Sequence, residues 1–209
     1  MRASKFTFAL LALLLLAAPH LRAETPSPST QRLIQSAYAQ IGVTLFYDSD
    51  YHAMAFPGGD VPAIRGVCSD VIIRAYRGIG TDLQLLVNQD MRRNFQAYPK
   101  LWGLAHPDPN IDHRRVPNLA TFFARHGRSL TPSANAGDYL PGDIVTWRLP
   151  GGAAHIGLVS DRSSEGKPLI IHNIGAGAAI EDILFAYPIT GHYRYLPLRS
   201  DRPKAPSRS

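Results

Sequence analysis

The chain has 209 residues, 45% of them apolar, with 22 Lys and Arg against 16 Asp and Glu and one cysteine. Its formal charge of +6 belongs to the ends: Arg2, Lys5 and Arg22 at the start, and Arg199, Arg202, Lys204 and Arg208 against Asp201 at the finish, leaving residues 24–198 neutral. A neutral body lacks the counterion exchange that drives nucleic-acid binding, and a lone cysteine excludes an internal disulfide.

In chain order, residues 1–5 are basic, 6–18 are an almost unbroken apolar run, and 19–23 supply a break and a small residue. That is the grammar of a secretory signal peptide, expected to be cut after Ala23 or, alternatively, after Ala18. The run is shorter than the about 20 residues that span a bilayer. The mature chain is therefore expected to be secreted or periplasmic, not membrane-inserted, and monomeric. Residues 199–209 (RSDRPKAPSRS) are expected to be a disordered basic tail. Residues 24–198 suit a single domain.

A helix is expected after a Ser29 or Thr30 cap, with Leu33, Ile34, Ala37, Tyr38 and Ile41 on one face and Gly42 as its stop. Residues 43–65 read as loop. A second helix starts at Cys68, with Val71, Ile72, Ala75, Tyr76 and Ile79 at helical spacing. A third starts near Asp82, with Leu83, Leu86, Val87 and Met91 inward. Residues 97–116 are irregular, and a fourth helix follows, with Pro117 near its first turn and Gly127 past its end. After Gly142 the pattern turns to strands, expected at 143–149, 154–160, 168–174, 180–187 and 192–198. Helices first and strands second predict an α+β domain with an antiparallel sheet of about five strands.

Cys68 opens its helix, where free N–H groups and the dipole favour a thiolate and could hold an oxyanion. His155 and His172 fall in consecutive strands joined by the polar link DRSSEG. Pairing Ser160 with Lys167 sets His155 directly opposite His172, with Cβ atoms roughly 4.5–5.5 Å apart. A thiol, a base and a group that orients the base form the general logic of nucleophilic catalysis. If His172 is not the third member, Asn173 or Asp143 is next. Arg65, Arg114 and Arg115 are candidate carboxylate binders, and Tyr47 and Tyr51 candidate oxyanion donors. No metal or organic cofactor is required, although Cys68, His155, His172 and His113 form an alternative zinc set.

Three segments carry a resemblance: Gly66-Val67-Cys68-Ser69-Asp70-Val71, Leu140-Pro141-Gly142-Asp143-Ile144-Val145 and His155-Ile156-Gly157-Leu158-Val159. Together they resemble the NlpC-type cell-wall cysteine peptidases, a branch of the papain-like fold. The body, including Asp112-His113-Arg114-Arg115-Val116-Pro117-Asn118, is similar to an exported bacterial family, domain of unknown function 1287. The resemblance implies N-terminal helices packed on the sheet, with Cys68 as nucleophile, His155 as base and His172 as third member. It further implies hydrolysis of an amide bond in peptidoglycan peptide. This chain has Asp70 where that family usually has Gly. The other readings are a thiol acyltransferase and a cell-wall binding module that does not turn over.

Overall fold

Ser27 starts the first helix of the computed structural model, which describes residues 25–197. The expected signal segment and basic tail lie outside those residues. Helix α1 (Pro28–Tyr38) is capped by the Ser27 Oγ, which accepts from the Thr30 N–H at 3.1 Å. The cap falls ahead of the expected Ser29 or Thr30 because Pro28, with no N–H to lose, suits the first helical position. Ile41 lies beyond the helix and is half-exposed. Helices α2 (Cys68–Arg77), α3 (Leu83–Asn94) and α4 (Val116–His126) fall where their periodicity predicts, with Asp82 capping α3. Among the described residues, no helix is long and apolar enough to cross a membrane.

The stretch read as loop holds a short parallel pair, β1 (Phe46–Tyr47) with β2 (Arg65–Gly66). Two residues are too few for a period to register, yet this pair lays Tyr47 beside the entry to α2.

Six strands, rather than about five, form the main sheet. They are β3 (Arg128–Leu130), β4 (Ile144–Arg148), β5 (Ala154–Ser164), β6 (Lys167–Asn173), β7 (Ala178–Glu181) and β8 (Ile189–Arg194), in the antiparallel order β3-β8-β4-β5-β6-β7. The unexpected strand, β3, is a partly exposed edge with no apolar alternation. It exists because Gly127 lets the chain pass close to β8: a Cβ there would sit 2.8 Å from the Arg194 carbonyl. Strand β7 is shorter than expected and gives way to a turn, and β8 begins earlier.

The alternation of strand residues explains the layers. Ile144, Ile156, Leu158 and Ile171 pack against Leu33, Ile34, Ile72, Tyr76, Leu119 and Phe123 of the helices. Val145, Trp147, Val159 and Ile170 face the other way, under Ile183 and Leu184. Both faces are buried, and each fully enclosed Leu, Ile or Phe contributes roughly 1.5–3 kcal/mol.

The β5–β6 hairpin corrects the expected register. Ser164, not Ser160, pairs with Lys167, through a two-residue turn at Glu165 and Gly166 whose φ angles are 49° and 77°. Positive φ at both central residues matches the right-handed strand twist, which selects this tighter turn. An irregularity between Val159 and Ser163 then sets Leu158 opposite Ile171. Continuing that ladder puts Gly157 across from His172, so the histidines are diagonal rather than opposite. The displacement is an even number of residues, which keeps both on one face.

Candidate active site

The turn before α2 is held by its own sequence. Val67 is extended, and its N–H donates to the Asp70 Oδ2 at 2.7 Å. Asp70 also takes two bonds from Arg114, Nε at 3.0 Å and Nη2 at 2.9 Å, while Arg114 donates onward to the Asp48 and Asp50 carbonyls. The Asp that departs from the NlpC-type pattern thus anchors the wall of the site. A buried, two-point Arg–carboxylate pair fixes direction as well as charge.

Cys68 sits in a fork. The β5–β6 ladder has its last paired residues at Leu158 and Ile171. Beyond it, Asn173 Nδ2 donates to the Gly66 carbonyl at 3.0 Å, and the Ile156 N–H interacts with the Cys68 thiol. The segment entering α2 therefore touches both strand ends, at Ile156 and at Asn173. The His155 and His172 side chains project on the face away from the helices, where His155 packs on Trp147. Asn173 is used in building the fork, and Asp143 is occupied by His192 and Arg194.

His155 Nε2 lies 3.1 Å from His172 Nδ1, with the rings edge to face. Gly157 makes this possible, because a Cβ there would meet the Ile170 Cγ2 at 2.5 Å and crowd the His172 Cβ at 3.3 Å. Glu181, which sequence reasoning missed, brings its Oε2 to 2.8 Å from His172 Nε2. The oxygen sits off the line of the ring N–H, so the contact is an ion–dipole pairing more than a straight hydrogen bond. It is nonetheless the partner of a ring nitrogen that is otherwise buried without one. Its signal lay in β7: His172 pairs with Ala179, and Glu181 is two residues further on the same face.

This chain of contacts fixes the protons. A carboxylate at His172 Nε2 keeps that nitrogen protonated, so His172 Nδ1 accepts. His155 Nε2 must then donate, which leaves His155 Nδ1 bare and able to act as a base.

Burial governs the titration of the site. It pushes the Cys68 thiol up to about 11, against the pull of the Ile156 and Ser69 N–H groups and the Tyr47 hydroxyl. It pushes His155 down to about 3, helped by the His172 charge, and lowers His172 despite Glu181. Desolvation here opposes the helix terminus and favours the neutral thiol over the thiolate expected from the helix start. Among the described residues, no hydrogen bond joins the sulfur to an imidazole.

Cys68 opens onto a cavity of about 410 Å³ shared with Tyr47, Tyr51, Trp102, Arg115 and Ala154. Tyr47 points its hydroxyl at the thiol, and burial, followed by the Cys68 charge, pushes the Tyr47 pKa up to about 12. Tyr51 is engaged with Asp108 and Asn110. Arg114 also lines this cavity, but its guanidinium is buried and its nitrogens are bound to Asp70 and two carbonyls. Arg65 stands outside the cavity, largely exposed and paired with Asp48 at 3.5 Å. The alternative zinc set does not assemble: among the described residues no three His, Cys, Asp or Glu converge as ligands, and His113 faces the Arg77 and Arg114 cations.

Fold and site together define an α+β domain with a buried thiol at a helix start and, on the strands it packs against, two linked imidazoles. Residues 34–195 match the family described as Domain of unknown function (DUF1287), and the chain belongs to that family. It is 53% identical over 201 residues to the uncharacterized protein YijF of Escherichia coli (strain K12), an alignment that covers 91% of this chain and 98% of that relative.

Proposed function

We propose that this chain is an exported cysteine hydrolase of the papain-like, NlpC-type superfamily that cleaves an amide bond in peptidoglycan peptide. The observation that carries the reading is the Glu181–His172–His155 relay, which leaves His155 Nδ1 unprotonated on the residue before Ile156, whose N–H reaches the Cys68 thiol. The N-terminal helices on an antiparallel sheet, and the chain order Cys, His, His, support the superfamily. The apolar start of the sequence supports export.

In this mechanism the thiol proton passes to His155 Nδ1 as the sulfur attacks the substrate carbonyl. Each charge is costly to form alone in a buried site, and forming both in one step offsets much of the separate desolvation. The oxyanion meets the Cys68 backbone N–H at the start of α2 and the Tyr47 hydroxyl. His155 then protonates the leaving amine, and water releases the acyl group from sulfur.

The test is incubation of the mature protein with purified peptidoglycan, with the products read by mass spectrometry beside a Cys68→Ala control. New peptide fragments that vanish in the control are expected. Fragments that persist in Cys68→Ala, or none from the unaltered protein, would overturn the reading.

A further inference from the structure

Arg114 and Arg115 are sequence neighbours with opposite use. Arg114 has all three of its nitrogens bound and its side chain is 2% exposed. Arg115 gives only Nη1 to the protein, at 2.9 Å from the Asp112 Oδ1. Its Nε and Nη2 have no hydrogen-bond partner among the described residues, and its side chain borders the cavity that holds Cys68. The guanidinium carbon lies 4.1 Å above the Trp102 ring. Stacking on an aromatic face holds the planar group flat and limits its rotation. Nε and Nη2 then form one rigid edge of the guanidinium, whose spacing matches the two oxygens of a carboxylate.

Trp102 is also where the cleft continues. A second cavity of about 630 Å³ shares Trp102, Val116, Pro117 and Ala154 with the first. A ligand that reaches Cys68 past Arg115 therefore has room to extend on the far side of Trp102. The irregular segment around Trp102 acquires a purpose on this account: it supplies the platform that orients the cation.

We propose that Arg115, laid flat on Trp102, binds a carboxylate of the substrate through Nε and Nη2, and that the substrate is an extended anionic peptide running past Trp102 into the second cavity. This rests on the hydrolase reading for its substrate, but its test does not need turnover. The probes are soluble peptide fragments of peptidoglycan, either native or with their carboxylates converted to carboxamides by carbodiimide and ammonia. Binding to full-length Cys68→Ala protein is measured by calorimetry, and Arg115→Gln, which retains a donor for Asp112, is compared in the same background.

Amidation of the fragments is expected to weaken binding about tenfold to a hundredfold, as is Arg115→Gln with native fragments. Applied together, the two changes should cost little more than either alone, because both remove the same contact. Arg115→Lys, which keeps the charge and loses the fork, should fall between. Additive losses, equal loss on both probes, or none would overturn the proposal, and melting temperatures of the variants show whether a loss reflects the fold. Carboxylate-dependent binding without cleavage by the unaltered protein would sink the hydrolase reading and leave Arg115 standing. Charge-blind binding with cleavage would do the reverse, and no binding of either probe would remove the proposal.

Discussion

His172 Nε2 lies 2.8 Å from the Glu181 Oε2, so a half-exposed carboxylate is tied to an imidazole with no exposure of its own. Through that contact the protein sets, two rings away, which nitrogen of His155 is bare.

Removing the carboxylate should release the tautomers. In Glu181→Ala, ring ¹⁵N shifts should show His172 mixing its two neutral forms, and turnover should fall roughly 10–100-fold, as for other outer partners of a working imidazole. Glu181→Gln should recover part of this, since its carbonyl oxygen still accepts. Unchanged ¹⁵N shifts in Glu181→Ala would mean that the contact orders nothing.

His172→Ala should be more damaging, about 10²–10⁴ in rate with the fold intact, because the base loses its direct partner. His172→Gln should restore part, and His155→Ala should be worse than either. Near-normal turnover by His172→Ala, on a substrate that Cys68→Ala cannot cleave, would exclude the pairing from the chemistry.

The thiol should behave as a buried neutral group. With its pKa near 11, iodoacetamide labelling of Cys68 should climb steadily from pH 6 to pH 9 and stay slower than that of free cysteine. A labelling rate that plateaus below pH 7 would reveal a standing thiolate–imidazolium pair instead. Turnover should be nearly flat from about pH 5 to 9, because the pair holds one proton between the His155 and Cys68 limits.

Acid should destabilise the fold early. Burial depresses His155 and His113 to about 3, so each stays neutral in the native state while its unfolded form takes up a proton near 6.5. The unfolded state then binds more protons, and stability present above pH 6.5 is lost as pH falls toward 3. Urea midpoints measured at pH 7, 5.5 and 4 should fall in that order, and less steeply in His113→Gln. A midpoint constant down to pH 4 would contradict the burial of these rings.

Asp70→Gly, which restores the residue usual in NlpC-type peptidases, should be destabilising here. It strands the Arg114 guanidinium, already 2% exposed, and breaking such a pair costs about 3–5 kcal/mol. Thermal melting would check it. An unchanged midpoint would show that Arg114 finds other partners.

The sequence by itself determined the helices, the late strands, the helix-start position of Cys68 and the shared face of His155 and His172. These are local matters: helical spacing, turn residues and the two-residue period of a strand fix them without distant partners. The face survived even an error in the hairpin, because the register moved by an even number of residues. Tertiary structure alone decided the rest. Strand β3 exists only because β8 lies beside Gly127, and Tyr47 reaches the thiol only through the β1–β2 pair. Glu181 meets His172 across β6 and β7, and the adjacent Arg114 and Arg115 are divided into a buried strut and an open cation by Asp70 and Trp102. The pKa of Cys68 followed the same rule. A helix start is visible in sequence and favours the thiolate, but desolvation depends on everything packed around the sulfur, and burial pushes the thiol up more than the helix start pulls it down.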